Sequence, residues 1–166
     1  LNEQNSASPS AAYSSLPNET YSKFLLASNP ARIQGKDGLP NGNKHSILAT
    51  EEVYGIMMHF SQSLGVNCTY CHNTQAFSDW THSTPQRAQS WHAIQMVKDV
   101  NNTFMVPLTS TFPKHRLGET GDVAKANCAT CHQGVNKPLY GKSMLSDHPY
   151  LTKPAAEVNA KTVAMK

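Results

Sequence analysis

The sequence has no run of about 18 apolar residues, the length that a membrane-spanning helix needs, so no transmembrane helix is expected. Its opening, LNEQNSASPS, has neither the charged n-region nor the apolar stretch of a signal peptide. No cysteine precedes Cys68, so none lies near the start to take a lipid. The chain reads as mature, processed or truncated, reaching a membrane only through a missing N-terminal anchor or through docking. No basic cluster interleaves with aromatics, and 14 basic against 11 acidic residues leave a formal charge of only +3. That balance excludes a nucleic-acid partner. No segment sustains period-2 alternation, so little sheet is expected. Apolar residues make up only 39% of the 166, and the mean hydropathy is −0.48. The length suits one domain, and so modest an apolar content leaves part of the interior to be filled by a large apolar cofactor.

Cysteine is scarce too, and all four copies sit in two hexapeptides of one pattern, CTYCHN at 68–73 and CATCHQ at 128–133. Cys-x-x-Cys-His is the attachment sequence of c-type haem. Its two thiols add across the two porphyrin vinyl groups, which sets both sulfurs along one ring edge. The adjacent histidine then supplies an axial imidazole. Cys68 and Cys71 with His72, and Cys128 and Cys131 with His132, are therefore the predicted attachment and ligand residues of two covalent haems. Two Cys-x-x-Cys pairs also suit a zinc ribbon. That module favours tight turns with Gly and basic residues, whereas both motifs here follow helical or helix-ready segments and both carry the histidine. A thioredoxin-like dithiol would need a βαβ context that is missing.

The organisation is helix, motif, helix, loop, motif. Residues 1–45 read as an arm and loop, rich in Ser, Asn, Pro and Gly, with a short apolar patch at 21–28. Residues 46–150 are the predicted dihaem domain, and 151–166 a polar tail. A helix is predicted over 50–65, with Thr50 as N-cap, Glu51 and Glu52 at its positive end, an apolar stripe of Val53, Ile56, Met57, Phe60 and Leu64, and Gly65 as the stop. A longer one is predicted from about Pro85 to about Phe104, capped by Thr84. Residues 105–120 read as loop, and 121–134 as a short helix that carries the second motif. The fold class is mainly α: a multihaem c-type cytochrome of helices and long loops around its haems.

Each iron asks for a further axial ligand. For the first haem Met57 is the best candidate: it lies on the apolar stripe, eleven positions ahead of Cys68. A methionine on such a stripe is ordinarily core packing, but a helix just before a haem motif can lie against the porphyrin. Met58 competes for the role, and His59 in its place would give a lower potential. For the second haem His92 and Met96 on the long helix are the candidates, with Met105 and His115 as loop alternatives, and none stands out.

The runs SQSLGVNCTYCHNTQAFSDW, STPQRAQSWHAIQMVKDVNN and GDVAKANCATCHQGVNKPLYGKSML resemble the cytochrome subunit of purple-bacterial photosynthetic reaction centres. The likeness is to its C-terminal half, which carries the third and fourth haem motifs of that tetrahaem protein. It covers about residues 11–150 and weakens upstream, through AAYSSLPNETYSKFLLA. The patterns CHN…F…W…STPQR and CHQGV.KPL.G are more specific than the haem signature alone. The resemblance implies helices and loops around the haems. It implies Met57 and His72 on the third haem of the family, and His132 on the bis-histidine fourth, whose other histidine comes from the N-terminal half. It also implies a periplasmic electron carrier that re-reduces the photo-oxidised special pair. The implied partners are the reaction centre core subunits and a soluble donor, such as a small cytochrome c or a high-potential iron–sulfur protein.

Electron transfer is thus the leading expectation, with no catalytic residues. The alternatives are a dihaem peroxidase-like enzyme, which needs an open iron and a distal acid–base group, and a stand-alone carrier unrelated to photosynthesis. Trp80, Trp91 and Tyr70 read as packing aromatics, and KPLYGKS lacks the context of a phosphate loop. The basic residues near 114–116 and 137–142 read as solvated, and Asn67 and Asn73 as local hydrogen-bonding residues.

Overall fold

The computed structural model describes residues 20–28, residue 31 and residues 47–153. Most of the expected arm and loop over 1–45, and the tail beyond 153, lie outside the described residues. Three α-helices form the frame: α1, Ile47–Leu64; α2, Pro85–Asp99; and α3, Cys128–His132. Short 3-10 and π-helical turns join them, and no strand occurs among the described residues. The fold is mainly α, as the absence of alternation predicts.

The first helix starts earlier than expected. Thr50 is inside it, because Leu48 and Ala49 are good helix formers and nothing interrupts the helical run ahead of Glu51. The predicted stop holds: Gly65 has φ +65, the left-handed conformation that suits glycine. Along α1 the buried residues are Gly55, Ile56, Met58, His59, Ser61 and Ser63, while Val53, Met57, Phe60 and Leu64 are half-buried and form a second, apolar stripe.

Pro85 opens α2 from the N-cap position Thr84, as predicted. The Thr84 hydroxyl makes no cap bond. It donates instead to the Tyr70 carbonyl at 2.7 Å, and the Thr84 amide donates to the Cys71 carbonyl at 3.3 Å. The start of α2 is thereby fastened to the first motif. Past Asp99 the chain continues without a break as a π-helical turn, Val100–Met105, and then as a 3-10 turn, Val106–Ser110. Phe24, Leu25, Ile56 and Val97 form the central apolar cluster, with Tyr21, Ala31, Val53, Met57 and Phe60 against it. So the segment Ser22–Leu26 packs between α1 and α2.

The helix expected over 121–134 is confined to Cys128–His132. Asn101 is the physical reason. Its side chain, fully buried, takes the Ala126 amide at 2.7 Å and donates to the Ala126 carbonyl at 2.9 Å and the Leu25 carbonyl at 3.1 Å. Both polar groups of Ala126 are occupied from outside, and helix begins only after it.

Candidate haem-binding site

Both motifs are single helical turns, each started by an asparagine. In the first, Asn67 Oδ1 accepts from the Thr69 amide at 3.0 Å, and the His72 amide donates to the Cys68 carbonyl at 2.9 Å. In the second, Asn127 Oδ1 accepts from the Thr130 amide at 3.3 Å, and Thr130 Oγ1 accepts from the Asn127 amide at 3.0 Å, a reciprocal capping box. The turns put residues i, i+3 and i+4 on one side, so Cys68, Cys71 and His72 share a face, as do Cys128, Cys131 and His132. The expected local bonding of Asn67 and Asn73 is present; Asn73 Oδ1 accepts from the Gln75 amide at 3.0 Å. The cap role of Asn127 was missed by the sequence reading, although the asparagine common to NCTYCH and NCATCH was its signal.

The two imidazoles are oriented by one device. His72 Nδ1 donates to the Phe77 carbonyl at 2.9 Å, and His132 Nδ1 donates to the Val135 carbonyl at 3.1 Å. An Nδ1–H held by a carbonyl fixes the tautomer and leaves Nε2 as the metal-binding nitrogen. The His72 ring also lies flat on Phe77, with centroids 4.2 Å apart and planes within 3°. Burial pushes the His72 pKa down, partly opposed by the Phe77 carbonyl, so the imidazole is neutral, as a metal ligand must be.

Burial also holds one thiol of each motif in its protonated form. None of the four cysteines forms a disulfide. Burial pushes the Cys128 thiol up to about 12 and raises Cys71 against a weaker opposing bond to Ser90. A zinc centre or a reactive dithiol needs accessible thiolates. Among the described residues, moreover, no three His, Cys, Asp or Glu side chains converge on a metal-binding point. The donor set therefore fits covalent haem. Each motif pairs two thiols with one oriented imidazole, and large apolar side chains, including Phe77, Trp80, Leu139 and Tyr140, stand exposed nearby in the sequence.

A residue absent from the sequence reading fixes the loop after the first motif. Arg87 donates through one terminal nitrogen to the Asp79 carbonyl at 2.9 Å, to Ser83 Oγ at 2.7 Å and to the Phe77 carbonyl at 3.4 Å. Its guanidinium stacks 4.1 Å above Trp80, and Trp80 meets Trp91 edge to face at 6.3 Å. The two tryptophans pack, as expected. Arg87 lies within the specific pattern STPQR, which was the available signal.

The axial candidates separate. Met58 is core, 2% exposed, whereas Met57 is half-buried at the margin of the central cluster. His59 is 6% exposed and already engaged: its Nε2 accepts the Cys128 amide at 3.2 Å, and Tyr21 packs edge-on at 4.9 Å. Burial lowers its pKa, in keeping with a neutral acceptor. His92 and Met96 lie on the exposed side of α2, Met96 58% exposed. That helix packs chiefly on Ser22–Leu26 and Val100–Met105, whereas α3 packs on α1. Met105 is half-buried and His115 exposed.

A helical frame without strands among its described residues, carrying Cys-x-x-Cys-His turns with pre-oriented imidazoles, defines a c-type cytochrome that binds haem c covalently. The family model described as "Photosynthetic reaction centre cytochrome C subunit" matches residues 1–152, and the chain belongs to that family. It is 51% identical over 164 residues to the photosynthetic reaction center cytochrome c subunit of Rubrivivax gelatinosus, across 98% of this chain and 45% of that protein. The corresponding subunit of Thermochromatium tepidum is 46% identical over 157 residues, across 95% of this chain and 39% of that protein. Cytochrome c-554 of Chloroflexus aurantiacus is 28% identical over 95 residues. The chain thus spans less than half the length of the reaction centre subunits that it matches.

Proposed function

We propose that this chain is a two-haem electron carrier that serves a photosynthetic reaction centre on the periplasmic side of the membrane, and that it is not an enzyme. The observation that carries the reading is the duplicated site: two asparagine-capped Cys-x-x-Cys-His turns, each with its histidine Nδ1 held by a backbone carbonyl. The haem supplies a reversible one-electron couple. The protein supplies attachment through Cys68 and Cys71 and through Cys128 and Cys131, with His72 and His132 as axial imidazoles. Met57 is the other ligand of the first haem, since it is the methionine of α1 left half-buried while Met58 is committed to the core. For the second haem the sequence offers His92 and Met96, and their place on the solvent face of α2, away from the helix that carries the second motif, argues against both. Family membership and the coverage of residues 1–152 support the reaction centre core subunits as partners. A small cytochrome c or a high-potential iron–sulfur protein is the proposed soluble donor. In the family such a carrier meets its partners outside the cytoplasm, and no helix among the described residues is long and apolar enough to cross a membrane.

The test has two arms. Mass spectrometry of the denatured protein should find two covalent haems per chain. In membranes containing the reaction centre, a flash that oxidises the bacteriochlorophyll pair should be followed by oxidation of this cytochrome. A haem-free chain, or a dihaem protein that turns over hydrogen peroxide and stays reduced after the flash, overturns the reading.

A further inference from the structure

The second motif is held at both ends by one face of α1. At its start the Cys128 amide donates to His59 Nε2 at 3.2 Å. Just past its end the Gly134 amide donates to the Ser63 carbonyl at 2.8 Å. His59 and Ser63 are four apart, so they stand one above the other on the helix. They also touch: Ser63 Oγ lies 3.3 Å from His59 Nδ1. The last turn of α1 presses close behind them, since a Cβ at Gly65 would stand 2.1 Å from the Gly134 carbonyl oxygen. The Cys128 amide is the first of the four donors that a helix leaves without an internal partner. Asn127 answers for the Thr130 amide, and His59 answers for Cys128. Met57, the proposed ligand of the first haem, lies on the opposite side of the same helix. At about 100° per residue, Met57 and His59 project roughly 200° apart.

We infer that His59 is a positioning residue that seats the second haem-attachment motif on the helix bearing the axial methionine of the first, so that α1 is a shared wall between the two haem sites. Both of its ring nitrogens face protein partners. It accepts the amide of the first thioether residue and so sets where the Cys128–His132 turn lies against α1. Tyr21 braces the ring from the other side, its hydroxyl 3.4 Å from Nδ1. The inference rests on the dihaem reading above and adds to it a residue that acts on the second site alone.

The experiment uses the intact dihaem protein with His59→Leu, which removes the acceptor, and His59→Gln, which keeps one. Amide exchange at Cys128 should be slow in the unmodified protein, faster by on the order of tenfold in H59L, and restored in H59Q. Spectroelectrochemical titration and electron paramagnetic resonance should show the second haem shifted in H59L and the first unchanged. A chain that keeps the first haem but attaches the second incompletely supports the same role. Equal shifts at both haems, or H59L indistinguishable from the unmodified protein, overturn it. Should H59L not accumulate, rapid Cys128 exchange in the unmodified protein overturns it, and slow exchange there, retained in H59Q, supports it. Counting haems in the unmodified protein tests the dihaem reading separately.

Discussion

Arg87 and His72 meet at one acceptor. The carbonyl oxygen of Phe77 takes the Nδ1–H of His72 at 2.9 Å and a guanidinium N–H of Arg87 at 3.4 Å. The same side chain holds the Asp79 carbonyl and Ser83 Oγ, so its charge is fixed beside the imidazole.

That arrangement should raise the potential of the first haem. A fixed positive charge disfavours the oxidised, more positive iron. It also draws electron density from the Phe77 carbonyl, which weakens the pull on His72 and keeps the imidazole a poorer donor. Both effects have one sign. Arg87→Gln should therefore lower the first midpoint by tens of millivolts; about 59 mV corresponds to a tenfold change in a one-electron equilibrium. Redox titration with resolved haem bands measures it, and an unchanged or raised midpoint contradicts the argument.

Met57 and Met58 are neighbours with opposite prospects. Met57→His should lower the first midpoint, because methionine ligation raises the potential over histidine, and should abolish the near-infrared methionine-to-iron band. Met58→Ala should leave that band in place and cost about 2–5 kcal/mol of stability, the usual cost of emptying a core site at a residue 2% exposed. Met58→Leu, which conserves volume, should cost under about 1.5 kcal/mol. Denaturant titration of the two Met58 variants and spectra of all three separate the roles.

The contrast shows what the sequence could disclose. What short spacing sets was legible: the two helical turns of the Cys-x-x-Cys-His motifs, Pro85 at the start of α2 and Gly65 at the end of α1. What depends on contacts between distant residues was not. The segment before Cys128 has helix-compatible residues, yet Asn101 holds Ala126 from 25 positions away. Nothing near His59 in sequence announces an acceptor for an amide 69 positions on. Thr50 failed as a boundary for a different reason. A capping residue is only a weak competitor where good helix formers precede it, and Leu48 and Ala49 do.

Two glycines with similar backbone angles should differ sharply on substitution. Gly65 has φ +65, and an added Cβ would meet the Gly134 carbonyl at 2.1 Å; Gly134 has φ +84 and nothing within 4 Å of an added Cβ. Gly134→Ala should cost about 1–2 kcal/mol, the left-handed penalty alone. Gly65→Ala carries that penalty and must also part α1 from the second motif. Its stability by denaturant titration should fall clearly below that of Gly134→Ala, with the second haem perturbed. Equal losses would mean that the crossing is not tight.

Asp79 gives the loop after the first motif an acid limit. Its carboxylate accepts from the Thr81 amide and hydroxyl, each at 2.7 Å, and pairs with His82 at 2.7 Å. The Thr81 hydroxyl, then His82, hold its pKa well below the usual carboxylate range. A depressed folded-state pKa means stability that is present above the ordinary carboxylate value and lost as the pH falls towards the folded one. The group is exposed, so the effect is local. The protection of the Thr81 amide, its exchange relative to the intrinsic rate at the same pH, should fall on acidification, and Asp79→Asn should remove most of that pH dependence and leave protection low throughout.

His92 and Met96 test the second haem's remaining axial position. They sit one turn apart on α2 and so share a face, and that face is open to solvent, with Met96 58% exposed. The helix spends its packing on Ser22–Leu26 and Val100–Met105, while the Cys128–His132 turn is packed on α1. Neither the packing of α2 nor its exposed face brings the two side chains to the Cys128–His132 turn. His92→Ala and Met96→Leu should therefore both leave the near-infrared magnetic circular dichroism of the second haem unchanged. Loss of a histidine or methionine signature in one variant would instead identify that residue as the ligand and require a movement of α2 when haem binds.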